Sequence, residues 1–300
     1  MASAGKAFKV GCLGCLGVAG LVLLVGAVVT FVAWSREKNV EFTSSEEVVP
    51  VPAAPAVLEA AGELPTGGTG RIDLDITGVS EVLVVPCEPG AEMKSFAEYD
   101  PKRYRYEESF ENAEDGGWHY RVEFKGEMTM LSRMLQSIFS KQEPRFRLCL
   151  PRDQLLALDF EVEAGGLEAE LGGLHLRRTE VGVAQGGLEL AFRAPLEAPM
   201  EELKVDISMG GGAVMAIGNA SPGAIDLNMS MGGMAVDFGG NWLNDTDISL
   251  DHSMSGIELM VPQALAILGA PVSGSQQEGA FQLRFKEGTT FDDKVSISRR

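Results

Sequence analysis

The sequence predicts a mainly β chain, a single-stranded β-solenoid behind an N-terminal membrane anchor. Three observations carry that prediction. Apolar residues alternate with polar ones through most of the chain after Arg71. Glycine corners recur at Gly165-Gly166, Gly186-Gly187, Gly210-Gly211, Gly232-Gly233 and Ser255-Gly256, their second glycines 21, 24, 22 and 23 residues apart. A near-constant period of that size marks a repeat architecture. An uncharged apolar run also precedes everything else, from Val10 to Trp34.

Composition sets the bounds. The 300 residues include 36 glycines, and 45% are hydrophobic, enough for a real core. The formal net charge of −18 argues against a nucleic-acid binder, which needs a cationic face to displace counterions from phosphates. It also disfavours docking of the folded part on anionic lipid.

Twenty-five residues of helix from Val10 to Trp34 would span roughly 37 Å, against a hydrocarbon core of about 30 Å. This is longer than a signal-peptide core and lacks a small-x-small end, so an uncleaved transmembrane helix over 10–34 is expected. Residues 1–9 then form a short cytoplasmic tail, with the acidic domain outside. Cys12 and Cys15 read as small apolar residues of that helix, with acylation as the alternative. Residues 35–68, rich in Pro, Ala and Glu and without apolar period, read as a linker.

The β domain is expected over 69–300. Its first part, 69–155, holds strands near Arg71–Ile76 and Val82–Val85. A pair at Lys102–Ser109 and His119–Phe124 follows, turned at Asp115-Gly116-Gly117. Met128, Leu131, Leu135, Ile138 and Phe139 fall at helical spacing and predict a short helix over 127–140. Cys87 and Cys149 are a pair that an oxidising compartment would allow to bridge. Sequence gives no distance between them, so two buried free thiols stand as the default and the bridge as the alternative.

The five-unit repeat occupies 156–262, with a C-terminal cap over 263–300. One parity is apolar: Phe160 and Val162, Val181 and Val183, Val205 and Ile207, Leu227 and Met229, Ile248 and Leu250. The other is largely charged, so one face is buried and the other wet. Two folds satisfy this. Stacked solenoid units are favoured by the period. An antiparallel meander or sandwich would instead set Ala164 opposite Leu167 across a Gly-Gly hairpin.

The run LDFEVEAGGLEAELGGLHL (158–176), Gly218–Ala220, MAVDFGGNW (234–242) and Val261-Pro262 resemble the bacterial toastrack domains. These are the solenoid-like modules of LiaF-like and adhesin-like proteins. The resemblance implies an extracytoplasmic module for sensing, adhesion or assembly, with an envelope protein or a glycan as partner, and it carries over no catalytic residues.

Candidate chemistry is sparse. Three corners share Ser-Met: Ser208-Met209, Ser230-Met231 and Ser253-Met254. Thioethers suit Cu(I), but the parity of Ile207, Met229 and Leu250 turns these methionines inward as packing. His252 reads as an inward core histidine, while His119 and His175 have no partners at ligand spacing. Asn244-Asp245-Thr246-Asp247 lacks the glycine and glutamate of a calcium loop. Asn219, Asn228 and Asn244 begin sequons of consequence only in a glycosylating pathway. No catalytic, cofactor-binding or metal residues are assigned, and no cofactor is expected. Glu168, Glu170, Asp206, Asp226 and Asp237 are the outward residues expected to face a partner. The expected function is a membrane-anchored binding or scaffold module of the cell envelope, not an enzyme. A glycan-acting β-helix lyase or hydrolase is the alternative.

Overall fold

The computed structural model describes residues 43–48, 68–114, 116–126, 143–270, 280–289, 291–292 and 294–299. The expected transmembrane helix over 10–34 and the expected helix over 127–140 lie outside these residues. Among the described residues no helix is long and apolar enough to cross a membrane.

The described chain is mainly β, a mixed sheet of sixteen strands. In order these are β1 (Thr43–Val48), β2 (Gly70–Thr77), β3 (Glu81–Pro86), β4 (Lys94–Tyr99), β5 (Tyr104–Asn112), β6 (Trp118–Gly126), β7 (Arg145–Leu150) and β8 (Leu155–Glu163). There follow β9 (Gly165–Glu170), β10 (His175–Ala191), β11 (Glu202–Met215), β12 (Ala224–Asp237), β13 (Thr246–Val261), β14 (Leu265–Leu268), β15 (Phe281–Phe285) and β16 (Val295–Arg299).

The repeat pairs in parallel and in register. Gly166, Gly187, Gly211, Gly233 and Gly256 are successive register partners, so the period seen in sequence is the register of the sheet. Each of β10 to β13 runs through a corner. Its first half pairs with first halves and its second half with second halves. The antiparallel meander therefore does not form here: β8 and β9 both lie parallel to β10, and Ala164 turns between them at φ 61 instead of facing Leu167.

The inward columns are continuous hydrocarbon. Leu74, Phe160, Val181, Val205, Leu227 and Leu250 occupy one register position, and each is at most 2% exposed. Burying one such side chain stabilises the fold by about 1.5–3 kcal/mol. The first glycine of a corner lets one unit lie directly on the next. At Gly186 and Gly210 φ is 146 and 144, and a Cβ would sit 1.7 and 1.8 Å from the carbonyl oxygen of the equivalent glycine in the preceding unit. Only hydrogen fits there.

The two ends are finished differently. At the N-terminal end β4 joins β7, and β5 joins β6, both antiparallel. The β5–β6 turn at Gly116-Gly117 is closed by Ala113 N–H donating to Gly117 O at 2.9 Å. β1 pairs antiparallel with β4, although 35–68 was expected to be linker throughout. Thr43, Ser44, Glu46 and Glu47 are exposed, so this edge strand needs no apolar alternation. At the C-terminal end β15 and β16 continue the parallel register against the two halves of β13.

Cys87 and Cys149 form a disulfide, their Cα atoms 4.7 Å apart, in place of two free thiols. Parallel pairing of β3 with β7 sets Val85 against Cys149 and so delivers Cys87 to its partner.

Candidate functional site

The corners reverse the side-chain parity. In β11 Ile207 is buried, Ser208 and Met209 both face out, and Gly211 faces out again two residues later. β12 and β13 repeat this with Met229 and His252 inside and Ser230-Met231 and Ser253-Met254 outside. Strict alternation fails because the bend places two consecutive residues on its convex side. The inward reading of Met209, Met231 and Met254 is therefore corrected: they are 47%, 40% and 66% exposed.

Beyond the bend, the outer surface of the second halves is built from three register columns. Gln185, Met209, Met231 and Met254 form the first. The second is the outward glycines Gly166, Gly187, Gly211, Gly233 and Gly256, and the third is Glu168, Glu189, Ala213, Ala235 and Glu258. Without side chains in the middle column the surface is hollow. An open groove of about 400 Å³ crosses four strands there, with Ser80, Glu81, Glu168, Gly187, Glu189 and Gly211 among its lining. A Cβ at Gly187 would meet nothing within 4 Å, so the backbone itself is the floor. Glu81 is held by Arg145 at 3.2 Å and Glu189 by Arg193 at 3.2 Å.

The five residues expected to face a partner do not converge. Glu168 lines the groove. Glu170 ends β9 and Asp237 ends β12, and they close equivalent turns: each accepts from the N–H two residues on, Gly172 at 2.9 Å and Gly239 at 2.8 Å. Asp206 and Asp226 lie on the outer surface of the first halves, in neighbouring columns.

That first-half surface is a charge ladder. Asp73 accepts from Arg71 Nε at 2.7 Å and lies 2.7 Å from His119 Nε2. Burial pushes the Asp73 carboxyl up, but Arg71 and His119 outweigh it and leave it below the usual carboxylate range. Asp159 and Glu161 are both held above that range, by burial first and then by neighbouring acids. Lys204 joins Glu180 and Asp206, which together raise its ammonium group. The acids of 244–247 serve the fold: Asp245 and Asp247 take Arg284 at 3.2 and 2.8 Å.

Sequence reading missed a cluster at the N-terminal end. Glu108 accepts from Ser95 at 2.9 Å, from Tyr106 at 3.1 Å and from Tyr120. Burial raises both tyrosine hydroxyls, so they remain protonated donors. The groove itself had a readable signal: Glu168 and Glu189 each stand two residues after a second glycine.

No protein-family model matches this sequence, and none of the curated proteins matches it. Among the solved structures that overlap the chain are three with adhesion descriptions. A "putative cell adhesion protein" from Clostridium sporogenes is 11% identical at a TM-score of 0.46, covering 87% of this chain and 100% of that one. A "putative adhesin" from Bacteroides fragilis is 9% identical at 0.36, covering 87% and 97%. Another from Parabacteroides distasonis is 10% identical at 0.32, covering 87% and 94%. Overlap at this level assigns no function.

Proposed function

We propose that the chain is a binding or scaffold module of the cell envelope. In this reading 10–34 holds it in the membrane, and the β domain is an extracytoplasmic, toastrack-type solenoid that takes an extended protein or glycan along its outer groove. One observation carries the reading: Gly166, Gly187 and Gly211 floor an open, shallow groove of about 400 Å³ that runs from β3 across β9 and β10 to β11. The Cys87–Cys149 bridge supports the compartment, since structural disulfides persist where the surroundings are oxidising. Recognition, not catalysis, is proposed. The rival, a glycan-acting enzyme, has in its favour that Glu168 and Glu189 are register neighbours on one wall.

The test is in-cell photocrosslinking from position 168, with position 226 on the other surface as control. A protein or glycan captured from 168 and lost with Gly187→Trp, which fills the floor, supports the proposal. Equal capture from both positions contradicts it. Glycan cleavage that disappears in Glu168→Gln and Glu189→Gln would establish the enzyme instead. A thiol-accessibility assay at Ser35→Cys and Ala2→Cys checks the topology, which fails if position 35 is reached only from the cytoplasm.

A further inference from the structure

Among the described residues four large hydrophobic side chains are exposed, and three of them are Met209, Met231 and Met254. They occupy one register column on three consecutive strands. Of the other methionines among the described residues, Met93, Met200, Met229 and Met234 are at most 3% exposed, and Met215 and Met260 are partly buried. Single exposed apolar residues are ordinary, but three in one column are not scatter. The column has defined ends. Gln185 takes the position before Met209, and beyond Met254 the Lys294 ammonium donates to Ser253 O at 3.1 Å.

We propose that Met209, Met231 and Met254 form a thioether site for a soft monovalent cation, Cu(I) or Ag(I). Adjacent strands lie about 4.8 Å apart, so Met231 has a methionine one strand away on either side. Each side chain has three rotatable bonds and stands on the convex side of a bend, free to turn its sulfur toward the middle of the row. Neutral thioethers select Cu(I) over harder divalent ions, and three are a sufficient donor set for a d10 monovalent cation. A chain of net charge −18 adds a field that draws cations to its surface. No group of three His, Cys, Asp or Glu side chains that could hold a metal occurs among the described residues, so sulfur is the distinctive donor here. The proposal is independent of the groove reading, because the methionines form a separate column.

The experiment titrates the full-length chain, carrying Cys12→Ser and Cys15→Ser to remove competing thiols, with Ag(I) and then with Cu(I) against bicinchoninate. One equivalent should bind, with sulfur-only coordination in X-ray absorption. Met231→Leu should weaken it at least about 10-fold, because it removes the central donor and splits the row. Met209→Leu and Met254→Leu should each weaken it less, and the triple variant should abolish it. Leucine keeps the volume, and an unchanged circular dichroism spectrum and Tm verify the fold. Met234→Leu, at a buried position, should leave the affinity unchanged. Retention of the equivalent by the triple variant overturns the proposal. So do three independent weak equivalents, each lost with one methionine, and so does absence of Ag(I) binding at micromolar concentration.

Discussion

The repeat over β8 to β13 and the N-terminal end over β1 to β7 share one sheet but hold together by different means. In the repeat each unit rests on the last through identical register, apolar columns and backbone contact at inward glycines. The N-terminal end mixes parallel and antiparallel pairing and is fastened by a disulfide, an aromatic cluster and one carboxylate. Phe124 lies 5.3 to 6.5 Å from the rings of Tyr99, Tyr104, Tyr106 and Phe146. A stack of like units can extend indefinitely; an end must stop it. Antiparallel β1, β4 and β5 break the pattern the next unit would need, as capping segments of repeat proteins do.

The largest expected effect separates the two glycines of one corner. Gly210→Ala should cost at least about 3 kcal/mol in denaturant unfolding, since the methyl group meets Gly186 O and the backbone is at positive φ. Gly211→Ala, on the open face, should stay within about 0.5 kcal/mol. Equal effects would break the distinction between inner and outer glycines.

Next comes the fastening of the N-terminal end. Replacing both Cys87 and Cys149 by serine opens a link between positions 62 residues apart and should cost about 2–4 kcal/mol. Hydrogen exchange should rise first in β3, β4 and β7 while β11 and β12 keep their protection. Uniform loss of protection would mean that the two regions fold as one unit. Glu108→Gln should follow at about 1–3 kcal/mol, because the three hydroxyls around it lose a charged acceptor.

The smallest effect concerns β1. Glu47 is raised by its hydrogen bond to Glu108, then by the repulsion of that carboxylate and by burial. A raised acid contributes stability below its unfolded pKa and loses it as pH rises through the folded value. Burial pushes Glu108 up as well, yet the hydrogen bonds from Glu47, Tyr120, Ser95 and Tyr106 leave it lowered, so its contribution disappears only in stronger acid. Exchange of the β1 amides should therefore slow as pH falls from neutral toward the carboxylate range, after correction for intrinsic rates, and Glu47→Gln should flatten that dependence. A profile unchanged by Glu47→Gln would detach β1 from this pair.

How much of this was legible follows from the kind of interaction. The buried parity of Phe160, Val181 and Leu227 and the spacing of the second glycines are written in the chain, because each unit repeats its own local constraint. Alternation alone left the direction of pairing open, since it reads the same in a hairpin and in a stack, and only the near-constant period favoured the stack. Met209, Met231 and Met254 were turned the wrong way because period 2 does not survive a bend with two outward residues. β1 left no trace because an exposed edge strand needs no apolar face. Glu108 and its hydroxyls come from β4, β5 and β6, and only cross-strand register brings them together. The groove was half legible: its glycines were seen as bends, not as a floor.

The central claim is that successive units are single steps of a parallel stack. Spin labels at Glu168→Cys and Glu258→Cys, with Cys12 and Cys15 replaced by serine, test it by one distance. These positions share a column four strand steps apart. The stack places their backbones roughly 19 Å apart at about 4.8 Å per step. An antiparallel meander, with two strands per unit, would place them at roughly 38 Å, and that result would contradict the account.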